Sequence, residues 1–124
     1  MSEIAKLLID EKLPSLNDYI AKINRNKHIG NKFKHDVQER INWYIRASKI
    51  KPIKCRVDLD IYWHEKTKRR DVDNIYSAIK YIADSLQIMG IIENDNQNNI
   101  RHIFNYLIQD KRDYVVIIFH EVIE

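Results

Sequence analysis

Two aspartates one residue apart, Asp71 and Asp73, follow directly on the cations Lys68, Arg69 and Arg70. Acidic and amide residues return about a helix later as Glu93, Asn94, Asp95 and Asn96. Carboxylates held close together raise one another's pKa unless positive charge sits between them. Lys80 or Arg70 would supply part of that charge; a divalent cation would supply it better. Asp71 and Asp73, with Asp95 as a third oxygen donor, fit a hard-metal site for Mg²⁺ or Mn²⁺. His and Cys do not cluster at zinc-ligand spacing, which argues against zinc. The same residues also have a reading without a metal: Asp73 as a helix cap, Asp71 as a surface partner of Arg70, and "ENDN" as a polar turn.

These side chains depend on a helix for their placement. With Asp73 as N-cap, Ile75, Ala78, Ile79, Ile82 and Leu86 form a buried stripe. Asp73, Ser77, Lys80 and Asp84 form a polar stripe opposite it, at ~100° per residue. If residues 70–73 are extended up to the cap, Asp71 and Asp73 point to the same side.

The elements around that helix follow from periodicity. Ile4 to Leu13 reads as a first strand. Pro14 and Ser15 start a helix, with Ser15 and Asp18 spaced as a capping box. "NRNKHIGN" breaks it, with Gly30 as turn material, and a second helix runs from about Asn31 to Lys49. "CRVDLDIYW" (55–63) alternates apolar and polar as a half-buried strand does. Residues 100–109 and 114–123 are strands joined by a turn at 110–113. They are expected to form a hairpin, with the final strand, apolar on both faces, central or covered at an interface. The order β-α-α-β-α-β-β predicts an α+β fold: a small mixed sheet of about four strands with helices packed against it.

The 124 residues suffice for one domain, spanning 1–124, with one modest core. Hydrophobic residues at 44% beside 31% charged ones exclude a disordered tail. Cys55 is the lone cysteine, so no intrachain disulfide is possible, and a reducing interior is expected. The N-terminal residues lack the pattern of a signal peptide, and no apolar run approaches the ~20 residues of a membrane span. A cytoplasmic location, with no membrane partner and no small-molecule cofactor, is the expectation.

The net charge of +3 is modest, but its distribution is uneven. Lys22, Arg25, Lys27, Lys32, Lys34 and Arg40 crowd one stretch, and Lys66, Lys68, Arg69 and Arg70 another. Two basic clusters on a nearly neutral chain suit a polyanion-binding face; an ordinary solvated surface is the alternative.

"RRDVDNIYSAIKYIADSL" followed by "GIIENDNQ" resembles the RusA family of Holliday-junction resolvases, its phage and prophage members above all. That family's pattern is an Asp-x-Asp-Asn opening a helix, a lysine inside the helix, and an acidic turn ending in an essential aspartate. "LPSLNDYI" is similar to the family's Pro-Ser-x-Asn-x-Tyr segment. The resemblance implies a Mg²⁺-dependent endodeoxyribonuclease, active as a homodimer on four-way DNA junctions in recombination and repair. It assigns Asp71, Asp73 and Asp95 to the metal, and Lys80 to transition-state stabilisation. The founding type carries its lysine four residues after the second aspartate, where this chain has Ser77; a helix longer by about one turn would bring Lys80 into the role. Lys66, Lys68, Arg69, Arg70, Lys27, Lys32 and Lys34 would hold DNA phosphates. Trp43, Tyr44, Tyr62 and the apolar final strand are candidates for a subunit interface. Nucleases for other branched DNA (flaps or forks), non-catalytic DNA-binding proteins and interaction proteins with no nucleic-acid role remain as other readings.

Overall fold

The computed structural model describes residues 3–123. It contains four strands, β1 (Glu3–Ile9), β2 (Val57–Glu65), β3 (Ile100–Gln109) and β4 (Tyr114–Glu121). Its helices are α1 (Leu16–Arg25), α2 (Lys27–Ser48), α3 (Val72–Tyr76) and α4 (Ile79–Ile88). This is the expected α+β order, with the third helix divided into α3 and α4.

The start of α1 is written in the sequence. The Ser15 Oγ accepts from Asp18 N at 3.2 Å, and Ser15 N donates to Asp18 Oδ2 at 2.9 Å, closing the capping box. The break after α1 falls within the expected 24–31 stretch, but at Asn26 and not at Gly30. Asn26 ends α1 and caps α2, its Oδ1 accepting from His28 N and Ile29 N at 2.8 and 3.3 Å. Gly30 is therefore a buried residue inside α2, not a turn. A Cβ there would lie 2.4 Å from the Ile23 side chain and 2.8 Å from its Cα. The glycine serves close approach of two helices, not a change of direction.

The sheet order is β1-β4-β2-β3. β4 is central, as its two apolar faces imply. The expected hairpin of β3 and β4 does not form: β2 lies between them. β2 pairs in parallel with β3 (Ile61 with Asn105) and antiparallel with β4 (Ile61 with Ile117). The reason is the helical crossover from β2, which delivers β3 parallel to it at the sheet edge. The 110–113 turn then carries the chain past the end of β2, where Asp110 N donates to Glu65 O at 3.0 Å.

One face of the sheet supplies Leu7, Ile9, Leu59, Ile61, Trp63, Ile117 and Phe119 to the core, which also takes in Ile41, Ile45, Ile82 and Leu86 from the helices. On the opposite face Tyr62 stacks on Tyr106 at 4.8 Å between ring centroids. Of the interface candidates, Trp43 is exposed, whereas the Tyr44 hydroxyl donates to Glu11 at 3.2 Å. Among the described residues no helix is long and apolar enough to cross a membrane.

Candidate metal and nucleic-acid site

β2 ends at Glu65, and its carboxylate decides how the chain leaves the sheet. Arg70 doubles back onto it. Arg70 Nε donates to Glu65 Oε1 at 3.2 Å, a second guanidinium nitrogen pairs with Oε2, and Arg70 Nη1 donates to Leu13 O at 2.9 Å. The two side chains are only 17% and 10% exposed. Lys66 N donates to Asp113 Oδ1 at 2.8 Å. The 66–70 loop is thus pinned at both ends, and Arg70, expected to hold phosphate, is spent on Glu65. Burial of one carboxylate demanded a partner, and the nearest cation supplied it.

The next residue, Asp71, is the N-cap of α3, with φ −64 and ψ 148, and its side chain makes no capping bond. Asp73, expected as the cap, already lies in the first helical turn. The extended geometry that would align the two carboxylates therefore stops at Asp71. Both are exposed at the start of one helix, flanking the exposed Val72. The Asp71 carboxylate has no hydrogen-bond or ion-pair partner among the described residues. Asp73 Oδ1 accepts only from Asn74 N, at 3.0 Å. The exposed side chains of Lys66, Lys68 and Arg69 have no such partners among the described residues.

This helix start is held in place by α1. Asn17 Nδ2 donates to Asn74 Oδ1 at 2.6 Å, and Leu16 N donates to Ser77 Oγ at 2.9 Å. The Ser77 hydroxyl donates onward to Asn74 O at 2.7 Å. Ser77 therefore bonds to α1 instead of belonging to an exposed polar stripe. The segments "PSLN" and "DVDN", far apart in sequence, meet here.

Lys80 and Asp95 are placed elsewhere. The Lys80 ammonium lies 3.3 Å from Asp84, one helical turn further on, and the lysine side chain is 60% exposed. Asp95 N donates to Gln87 Oε1 at 3.4 Å, beside the last turn of α4. The backbone ladder runs nearly unbroken from Asp73 through Ser77 and Ala78 into α4. At ~1.5 Å per residue the helical path from Asp73 to Gln87 spans roughly 20 Å. Asp95 is thus not brought to Asp71 within one chain. Among the described residues no three His, Cys, Asp or Glu side chains group as a metal-holding set.

A single exposed carboxylate of this kind suits one kind of metal. Mg²⁺ keeps several of its waters and is commonly held by one or two carboxylates plus substrate phosphate oxygens. Asp71 and Asp73 present hard oxygens at an exposed helix start, beside free cations able to hold that phosphate.

In the second basic stretch, Lys32 pairs with Asp36 at 3.1 Å, Lys34 lies 5.7 Å from the Tyr19 ring centroid, and Lys27 is exposed. His64 belongs to a cluster at the sheet's end. Its Nδ1 lies 2.9 Å from Asp110 Oδ2, which also accepts from the Tyr114 hydroxyl at 3.0 Å. These bonds, with that from Lys111 N the largest cause, hold the Asp110 carboxyl below its usual range. His120 pairs with Asp60 at 2.8 Å. Two features escaped the sequence reading. The Glu65–Arg70 clamp had only the oddity of a glutamate ending an alternating strand to betray it. The basic run from Arg46 to Arg56 holds no acidic residue, a pattern open to sequence alone.

No protein-family model matches this chain, and no curated protein matches it.

Proposed function

We propose that the chain is a Mg²⁺-dependent endonuclease that cuts branched DNA, four-way junctions above all, as a homodimer. The observation that carries this reading is the exposed, largely unpartnered Asp71–Asp73 pair, directly after a pinned loop whose Lys66, Lys68 and Arg69 are free to take phosphates. The resemblance to the RusA resolvases supports the same reading.

A bound hard cation supplies an acidified water and neutralises charge on a phosphodiester. The chain's own groups do the rest. Lys66, Lys68 and Arg69 hold backbone phosphates against the site. Asp71 and Asp73 offer oxygens to the cation. Lys80, released from Asp84, would offer positive charge to the leaving oxygen. Water oxygen bonds to phosphorus, the P–O bond to one sugar breaks, and that sugar oxygen takes up a proton. A dyad-related pair of sites suits a junction that must be cut twice. It also answers the separation of the carboxylates, because Asp95 can complete an Asp71–Asp73 pair only from a second copy.

Mixing inactive variants tests this. Asp71→Asn and Asp95→Asn are each expected to lose Mg²⁺-dependent cleavage of a synthetic junction by a factor of 100 or more, with metal-free binding retained. In a mixed dimer one site would hold both substitutions and the other neither. Refolding the two variants together should therefore restore nicking of one strand. Full activity in Asp71→Asn alone would sink the nuclease reading. Loss in both without rescue would overturn a site shared between two copies and place the carboxylates in a site built within one chain.

The roughly 20 Å of helical path between Asp73 and Gln87, beside which Asp95 lies, favours one second reading: a non-catalytic DNA-binding protein. It predicts metal-independent junction binding and no cleavage in any divalent cation.

A further inference from the structure

From Ile41 to Val57 the chain holds five cations, Arg46, Lys49, Lys51, Lys54 and Arg56, and no carboxylate. α2 ends within this run, where Lys49 takes the left-handed conformation at φ 59 and turns the chain off the helix. The loop then crosses the start of β1. Lys49, Lys51 and Lys54 line an open groove of about 540 Å³ together with Lys6, and no acidic side chain lines it. All four lysines are exposed, and none of their ammonium groups has a hydrogen-bond or ion-pair partner among the described residues.

Four unpaired ammonium groups around one groove repel one another, a cost that an incoming polyanion reverses. The loop is also held in a fixed place. Ile53 N donates to Ile91 O at 2.8 Å, Val57 N to Asn99 O at 2.9 Å and Arg56 Nε to Gln97 O at 2.9 Å. Those partners flank the turn that carries Asp95. Free cations thus stand beside a candidate carboxylate here, as they do at Asp71. Nine-residue β2 separates the two places, a span of roughly 30 Å.

We propose that the 49–56 loop, with Lys6, is a second nucleic-acid contact surface that binds the sugar–phosphate backbone on the Asp95 side of the molecule. This rests on the nucleic-acid reading above but not on cleavage. The recognition is electrostatic and independent of base sequence.

The test compares Lys49→Gln/Lys51→Gln/Lys54→Gln with the control Lys12→Gln/Lys111→Gln, which removes exposed lysines elsewhere. Metal-free affinity for a labelled four-way junction is measured between 50 and 200 mM salt. Each lost phosphate contact lowers the slope of log K against log salt by ~0.9, so the loop variant should lose about 2 to 3 from the slope and at least about tenfold in affinity at low salt. The control should change by less than half that. The Lys→Arg triple keeps the charge and should bind as the parent does, which excludes damage to the fold. A loop variant that binds like the control overturns the inference. So does loss of binding to anionic phospholipid vesicles with junction affinity unchanged, since that would assign the groove to a membrane surface. A parent that binds no junction at any salt overturns both this inference and the nuclease reading. A parent that binds without cutting ends the nuclease reading alone, and the slope still decides the loop.

Discussion

The two ends of β2 are built alike and used differently. At each end a buried carboxylate is clamped by an arginine. At the C-terminal end it is Glu65 with Arg70, the side chains 10% and 17% exposed. At the N-terminal end it is Asp58 with Arg101, 1% and 33% exposed, joined at 3.0 and 2.6 Å. Arg70 comes from the loop just after the strand, so its clamp fixes the loop that presents Asp71. Arg101 comes from the start of β3, so its clamp fixes the strand that follows the Asp95 turn. The lesson is that buried ion pairs here act as positioning devices. Each costs desolvation, and each anchors one part of the candidate metal-binding set.

Arg70→Ala should break this parallel most strongly. It leaves Glu65 buried without its partner and frees Leu13 O, a loss of about 3–5 kcal/mol. Arg69→Ala, next to it, should stay within about 0.5 kcal/mol of the parent while weakening DNA binding. Urea denaturation read beside gel-shift affinity separates the two. Equal stability would show the clamp to be dispensable.

Arg101→Ala should cost about 3 kcal/mol, the low end for a buried pair because Arg101 is partly exposed. It also carries a pH signature. The hydrogen bonds from Arg101 hold the Asp58 carboxyl below its ordinary 3.8. A depressed folded-state pKa gives stability that is present above the unfolded value and lost as pH falls through the folded one. The gap between parent and variant should therefore be full at pH 6, begin to narrow near pH 4 and close only as pH falls through the depressed folded-state value. A gap that stays constant down to pH 3 would remove the ion pair from the account.

Ser77→Ala should cost about 1 kcal/mol, since Leu16 N loses its acceptor. Lys80→Ala removes an exposed i,i+4 pair worth a few tenths of a kcal/mol. If Lys80 acts in chemistry, its variant loses at least tenfold in cleavage while Ser77→Ala cuts like the parent under conditions where both are folded. The reverse result would make Ser77 the residue that orders the site.

Much of the fold was legible because its signals are local. The Ser15 capping box, the alternation of β2 and the two-sided apolarity of β4 each dictate their own outcome. The β3–β4 separation is not legible, because neighbouring strands usually pair and nothing within 100–123 reveals that β2 takes the place between them. The role of Gly30 is not legible, because a glycine needed for helix contact looks, in sequence, like one needed for a turn. At the candidate site residue types were legible and their partners were not: whether Arg70 meets phosphate or Glu65 depends on the burial of Glu65. The separation of Asp73 from Asp95 was calculable, since a helix carries its ends apart.

The position of β4 has a consequence in time. Among the described residues β1 has no strand neighbour but β4, so Leu7 waits for Ile117, more than a hundred residues later. The described sheet cannot close around its centre until β4 has been synthesised, and β1 lacks its β4 partner through that interval. Contacts of such sequence separation fold slowly and leave edges open to other chains. Nascent copies therefore pass through a stage in which the edge of one can be completed by the β4 of another.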